Sequence, residues 1–215
     1  FARLMQAPAG EREHLARATS RACEQRAASS ARFGAELAWA ARIGELYPGD
    51  VGVVSALLLN LLRLSPGEAI YLPAGNLHAY LDGTGVEIMA SSDNVLRGGL
   101  TPKHVNVPEL LRVLDFSPLE VEPLRAVVQG AEHVYPTPAR EFQLSYFDLV
   151  DQQHEVAVSG PEIWLVTAGE VELSAASGEA SRLDKARSAF VSAETGALRL
   201  RGSGRIFRAK VAQPA

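Results

Sequence analysis

The chain has a single cysteine, Cys23, so no internal disulfide can form and packing alone must hold the core. That usage fits a reducing compartment, and a cytoplasmic protein is expected. A cationic surplus is also missing: 21 Lys and Arg stand against 25 Asp and Glu, a formal net charge of −4. Without a basic field to neutralise a phosphate backbone, no nucleic-acid partner is expected. The longest apolar run, Val51 to Leu62, is too short to span a bilayer and carries Ser55 and Asn60, so no membrane partner is expected either. Nor does an apolar h-region follow Phe1-Ala2-Arg3, so no signal peptide is read. What remains is 215 residues, 47% hydrophobic and 21% charged: ordinary globular composition, with material for one large or two small domains.

Composition changes along the chain. Up to about residue 46, Ala, Arg and Glu dominate, and two helices are expected, Glu11–Arg32 and Ala35–Leu46, broken near Phe33-Gly34. The first has a thin apolar stripe, mostly alanine with Leu15. Tyr47-Pro48-Gly49-Asp50 reads as a turn. Short apolar runs follow, bounded by Gly, Pro, Asn and Asp: Leu57–Leu64, Glu68–Leu72, Leu77–Leu81 and Val86–Ala90 are strand-sized. Pro108 to Leu114 reads as a short helix with Pro108 in its first turn. Val121–Ala139 lies in a stretch rich in proline and reads as an extended crossing. Strands resume near Glu141, at Phe142–Tyr146, Glu162–Val166, Val171–Leu173, Ala189–Val191 and Leu198–Leu200. Two β-rich blocks, with Leu64–Leu72 resembling Leu183–Val191, suggest an internal duplication.

The segment with the most chemical content is Gly67, five residues, then Pro73-Ala74-Gly75-Asn76-Leu77-His78. Gly67 and Pro73–Asn76 turn the chain at both ends of a short strand, and the next strand presents His78, whose imidazole can meet a divalent cation. If Asp82–Gly85 is a four-residue hairpin loop, Tyr80 faces Glu87 and His78 faces Met89, so these four share one side. Leu77, Ala79, Leu81, Val86 and Ile88 then form the apolar side. The polar, glycine-bearing loop from Ser91 to Lys103 follows at once. It can aim Asp93, Arg97 and Lys103 at an anionic substrate, with Arg97 a planar fork and Lys103 a point charge.

The Gly…Pro-x-Gly-x-x-His pattern resembles the second motif of the cupin barrels, with Asp82 where that motif usually has Asn. Three runs make the resemblance specific: Leu72–Leu81, Gly85–Ala90, and Ser92-Asp93-Asn94-Val95-Leu96-Arg97-Gly98-Gly99-Leu100-Thr101-Pro102-Lys103. Together they are similar to type I mannose-6-phosphate isomerase, strongly from about Tyr47 to Phe116 and more loosely through Gly202–Ala209. The resemblance implies a mainly β, cupin-type (jelly-roll) fold: a partial catalytic barrel and a second, metal-free cupin-like barrel, preceded by a short helical segment. The corresponding divisions are a helical segment over 1–46, the second half of the catalytic barrel over 47–117, a crossing over 118–140 and the C-terminal barrel over 141–215. It implies zinc-dependent interconversion of mannose 6-phosphate and fructose 6-phosphate through a cis-enediol. His78 would be a zinc ligand, Arg97, Asp93 and Glu87 catalytic residues, and Tyr80 and Lys103 substrate-binding ones.

In that family the other metal ligands, a Gln-x-His pair and a Glu, lie upstream of the helical region. A sequence opening at Phe1 inside that region is therefore expected to be the carboxy-terminal portion of a longer enzyme, inactive alone and prone to self-association through exposed barrel edges. The competing reading is a non-catalytic sugar- or ligand-binding cupin. His14, His104, His133 and His154 read as surface residues, and Trp39 and Trp164 as core. Cys23 reads as an inert or surface thiol, and Arg199, Arg201, Arg205 and Arg208 as a solvated sheet face.

Overall fold

A computed structural model of the chain describes residues 1–92 and 95–212. It divides into two compact units that interleave along the sequence. The first comprises Phe1–Arg63, Leu72–Gly83 and Ser92–Leu119; the second comprises Leu64–Tyr71, Thr84–Ser91 and the chain from Glu120 onward.

The first unit is helical. Its elements are α1 (Ala2–Gln6), α2 (Ala9–Ala27), α3 (Gly34–Leu46), α4 (Gly52–Ala56) and α5 (Val107–Val113). The two long helices match the Ala-rich stretches, and the break falls before Gly34 as the sequence predicts. Gly44 sits where α3 crosses α2, and a Cβ there would run into the Ser20 side chain, so the crossing requires glycine. Cys23, Ala40, Ile43 and Val53 form the core beneath this crossing, with Leu81 and Leu100 packed against it. Cys23 is buried, not a surface thiol, and burial pushes its pKa up. A smaller cluster of Met5, Val51 and Leu110 joins α1 to α5. Asn106 caps α5, its side chain accepting the Glu109 amide, and Pro108 occupies the first turn.

The second unit is β. A two-stranded antiparallel pair joins β1 (Glu68–Ala69) to β2 (Leu124–Arg125). The main sheet is built from β3 (Val127–Gln129), β4 (Glu132–Val134), β5 (Gln143–Ala157), β6 (Glu162–Ala175), β7 (Ala180–Asp184), β8 (Ser188–Val191) and β9 (Ala197–Lys210). Its order is β3-β4-β5-β9-β6-β7, with β8 also on β6. Every pairing is antiparallel. Thus β6 has β9 along one side and shares its other side between β8 and β7, so the sheet wraps around one interior. Phe147, Ile206 and Val166 stand in register across β5, β9 and β6, and all three are buried beside Trp164, Leu200 and Leu173. Bulges fall between Val150 and Gln152 and between Val166 and Ala168, where the long strands bend. Gly202 lies opposite, at φ +138°, where a Cβ would collide with the Glu170 carbonyl.

One end of this interior is polar. Glu162 is 1% and Arg208 3% exposed. Arg208 donates from Nε and Nη2 to the two Glu162 oxygens at 2.9 and 2.5 Å, and from Nη1 to Glu132 at 3.3 Å. Trp164 Nε1 also donates to Glu162, at 3.0 Å, and Ser145 Oγ to Glu132, at 2.5 Å. Every buried charge therefore has partners, as the low dielectric demands. Arg208 thus departs from the expected solvated arginine face: its strand position points it inward, where a carboxylate waits. Arg205, on the outer face, is ion-paired with Asp148, and Arg199 with Glu155.

A mainly β chain with a helical start is what the sequence predicts, but three of its strands do not form. Of Glu68–Leu72 only β1 is a strand, and Leu57–Leu64, Leu77–Leu81 and Val86–Ala90 are not strands at all. Leu57, Leu58 and Leu59 instead donate to the carbonyls of Val54, Ser55 and Ala56, extending the turns of α4. Leucine is a good helix former, and a short apolar run has no period that separates helix from strand. A strand also requires a hydrogen-bonded neighbour, which these segments lack.

Candidate functional site

His78 is presented by a turn docked on the end of α5. Gly75, at φ +83°, supplies a backbone conformation that favours glycine. Its carbonyl accepts the Asp115 amide at 3.0 Å, and a Cβ there would lie 3.0 Å from the Val113 carbonyl. Asn76 Nδ2 closes the turn on the Pro73 carbonyl at 3.0 Å. Asp115 accepts the Ser117 amide, which holds its carboxyl below the usual carboxylate range. The chain that follows is not a strand, and Ala79, expected on the apolar side, is exposed. Leu77 and Leu81 are partly buried, Leu81 against the helical core, whereas His78 and Tyr80 are exposed. Their rings approach edge to face, with centroids 6.1 Å apart and planes at 75°.

The loop carrying Arg97 is fixed to the same unit. Leu77 reaches so close to Gly98 that a Cβ on Gly98 would lie 2.6 Å from its Cδ1, placing the neighbour of His78 on the neighbour of Arg97. Beyond it, Leu100 takes φ +54°, and its amide donates to Asp50 Oδ2 at 2.9 Å. Asp50 Oδ1 accepts the Gly52 amide at 2.7 Å. Arg97 is half-buried and Lys103 exposed, the Lys103 amide donating to Thr101 Oγ1 at 3.1 Å. In the sequence, Asp50 reads only as the last residue of a turn. The available signal was Asp50-Val51-Gly52, an acidic side chain two residues before a free amide.

Of the remaining expected site residues, only Glu87 falls within the described part of the chain. Asp93 lies outside the described residues. Glu87 is exposed and belongs to the second unit. The hairpin that was to face Tyr80 with Glu87 and His78 with Met89 does not form, since neither arm is a strand. Of the other histidines, His14 and His104 are exposed, His154 is half-buried, and His133 stacks on Tyr146 at 4.6 Å.

A metal test follows from the donors. His78 Nδ1 lies 3.1 Å from the Asn76 carbonyl, so with Nδ1 protonated it donates there and leaves Nε2 as a lone-pair donor, the arrangement a ligating histidine needs. A catalytic zinc normally takes three protein ligands. Among the described residues no group of three or more His, Cys, Asp or Glu could hold a metal ion. One Gln-x-His run exists, Gln152-Gln153-His154, but it lies downstream on β5, with His154 opposite Leu200, and is not the upstream pair the resemblance calls for. One donor fits zinc; the set does not. Among the described residues, no helix is long and apolar enough to cross a membrane.

No family profile matches the chain. It is 40% identical over 168 residues to mannose-6-phosphate isomerase of Escherichia coli (strain K12), covering 77% of this chain and 43% of that protein. It is 41% identical over 140 residues to mannose-6-phosphate isomerase 2 of Arabidopsis thaliana, covering 62% of this chain and 31% of that one. Among solved structures, mannose 6-phosphate isomerase from Salmonella typhimurium bound to its substrate, fructose 6-phosphate, and a zinc atom superimposes with a TM-score of 0.83 at 33% identity. That match covers 99% of this chain and 53% of the other. The chain thus spans about half the length of the relatives it matches, or less.

Proposed function

We propose that this chain, a partial relative of the mannose-6-phosphate isomerases, supplies the carboxy-terminal side of a zinc-dependent site that interconverts mannose 6-phosphate and fructose 6-phosphate. The observation that carries the reading is the packing of Leu77 against Gly98, which mounts the His78 turn and the Arg97 loop on one scaffold. His78 Nε2 would donate to the zinc, whose remaining ligands come from outside these residues. The reaction moves a proton between adjacent carbons while their oxygens exchange carbonyl and hydroxyl character, and negative charge builds on those oxygens. Arg97 would hold that charge with its planar fork, and Lys103 would meet the phosphate. Glu87 and Asp93 are the carboxylates assigned to proton movement, and Tyr80 lines the substrate. Cytoplasmic location accords with one buried, unpaired cysteine. Exposed Leu57, Leu58, Leu59 and Leu62 support association, with another polypeptide or a second copy, in the working state.

The test is complementation. The amino-terminal portion of the Escherichia coli relative, added in trans, should confer zinc binding and isomerase turnover. His78→Ala should then lose zinc, whereas Arg97→Ala should keep zinc and lose turnover. Unchanged turnover in Arg97→Ala would remove Arg97 from the mechanism. The second reading, a non-catalytic sugar-binding protein, is favoured by the lone metal donor; it predicts fructose 6-phosphate binding with no turnover under any complementation.

A further inference from the structure

We propose that Asp50 is the positioning residue of the Arg97 loop. The inference rests on the isomerase reading for the loop's substrate and on the geometry of the first unit for everything else. Asp50 closes the Tyr47-Pro48-Gly49-Asp50 turn, its amide donating to the Tyr47 carbonyl at 3.1 Å with Gly49 at φ +83°. The turn delivers a carboxylate that takes two backbone amides, one on each oxygen. Gly52 at the start of α4 is a local partner; Leu100 is fifty positions along the chain. A carboxylate accepting two N–H groups is a stronger tie than a neutral pair, and here it joins the start of α4 to the loop that follows Arg97.

The fit around this tie is close. A Cβ on Gly99 would lie 3.0 Å from Asp50 Oδ1 and 3.1 Å from Gly52 Cα, and Gly99 itself is at φ +129°. A Cβ on Gly52 would lie 2.7 Å from the Leu100 side chain. Three consecutive residues after Arg97 are thus seated, Gly98 against Leu77, Gly99 against Gly52, and Leu100 on the Asp50 carboxylate. With the loop pinned just beyond it, Arg97 loses much of the backbone freedom that would otherwise blur its guanidinium, which is what binding in a fixed geometry requires. Helix capping alone would explain the Gly52 bond. It does not explain the second oxygen reaching Leu100.

The test compares the full chain with Asp50→Asn and Asp50→Ala by residue-resolved amide exchange, and by fructose 6-phosphate titration read at the Arg97 Nε signal. Asp50→Asn keeps one acceptor oxygen and should lower protection of the Leu100 amide about tenfold, with Asp50→Ala lower still. The Arg97 Nε signal should shift in both variants, barrel amides such as those of Val166 and Leu200 should not change, and fructose 6-phosphate should bind more weakly. Unchanged Leu100 protection together with an unmoved Arg97 signal would overturn the proposal. So would loss of Leu100 protection that leaves the Arg97 signal and the titration as in the parent chain, since Asp50 would then act on the fold alone. If the parent chain shows no response to fructose 6-phosphate while the Arg97 signal still depends on Asp50, the isomerase reading fails and the positioning role stands.

Discussion

Leu200 stands between two arginines and Leu58 between two leucines, yet Leu200 on β9 is 0% exposed and Leu58, just past α4, is 62% exposed. Leu200 belongs to a strand with neighbours on both sides, Leu173 of β6 and His154 of β5. Leu58 donates its amide to the Ser55 carbonyl and belongs to no strand. The long central strands of the main sheet, β9 and β6, have hydrogen-bonded neighbours on both sides. The unit that carries His78 and Arg97 is instead a helical scaffold whose loops are held by separate contacts, among them Asp115 at Gly75, Leu77 at Gly98 and Asp50 at Leu100. Alternating apolar residues become strands only where a ladder exists to receive them, and His78 and Arg97 lie on a part of the chain without one.

The largest test of this contrast lies in the barrel's polar end. Glu162→Ala leaves the buried Arg208 with only the longer Glu132 contact as an ion pair and takes the acceptor from Trp164 Nε1, and should lower stability by about 3–5 kcal/mol, seen as a fall in the urea midpoint followed by Trp164 fluorescence. A small change would mean that water reaches this end of the interior. Next comes the leucine pair itself. Leu200→Ala should cost about 2–5 kcal/mol, whereas Leu58→Ala should stay within about 0.5 kcal/mol. Equal costs would erase the distinction between the two regions. Gly75→Ala should cost about 1–2 kcal/mol in the first unit alone, because of its positive φ and the nearby Val113 carbonyl, and should move the His78 ring resonances. If those resonances stay in place, the α5 docking does not set the His78 turn.

The smallest effect is electrostatic. Hydrogen bonds from Arg205 hold the Asp148 carboxyl below the usual carboxylate range. A depressed carboxylate adds stability above its unfolded value, about 3.9, and loses it as pH falls through the lower folded value. The pair is partly exposed, so the contribution should stay under about 1 kcal/mol. Melting of the parent and of Asp148→Asn should therefore differ near neutrality and converge toward pH 2; a gap that persists there would assign the effect to packing.

Much of this was legible in the sequence. The Ala-rich helices, the Pro48-Gly49 turn, the α5 start and most barrel strands follow from composition, punctuation and period. The motif runs carry the resemblance to the mannose-6-phosphate isomerases through residues such as His78 and Arg97. Other features had no local signal. Glu162–Val166 and Val171–Leu173 read as two strands because the bulge near Thr167 interrupts the period, although β6 is continuous. β7 was missed because only Leu183 of its five residues is buried. The inward turn of Arg208 depends on a register that the sequence does not reveal, and the Asp50–Leu100 tie on a contact far apart in the chain.

The most direct measurement is zinc content together with conversion of mannose 6-phosphate to fructose 6-phosphate by this 215-residue chain alone. With one candidate donor, His78, and no metal-holding group among the described residues, no tightly bound zinc and no turnover are expected. Near-stoichiometric zinc with turnover would contradict this expectation, and would mean that a full ligand set assembles from this chain.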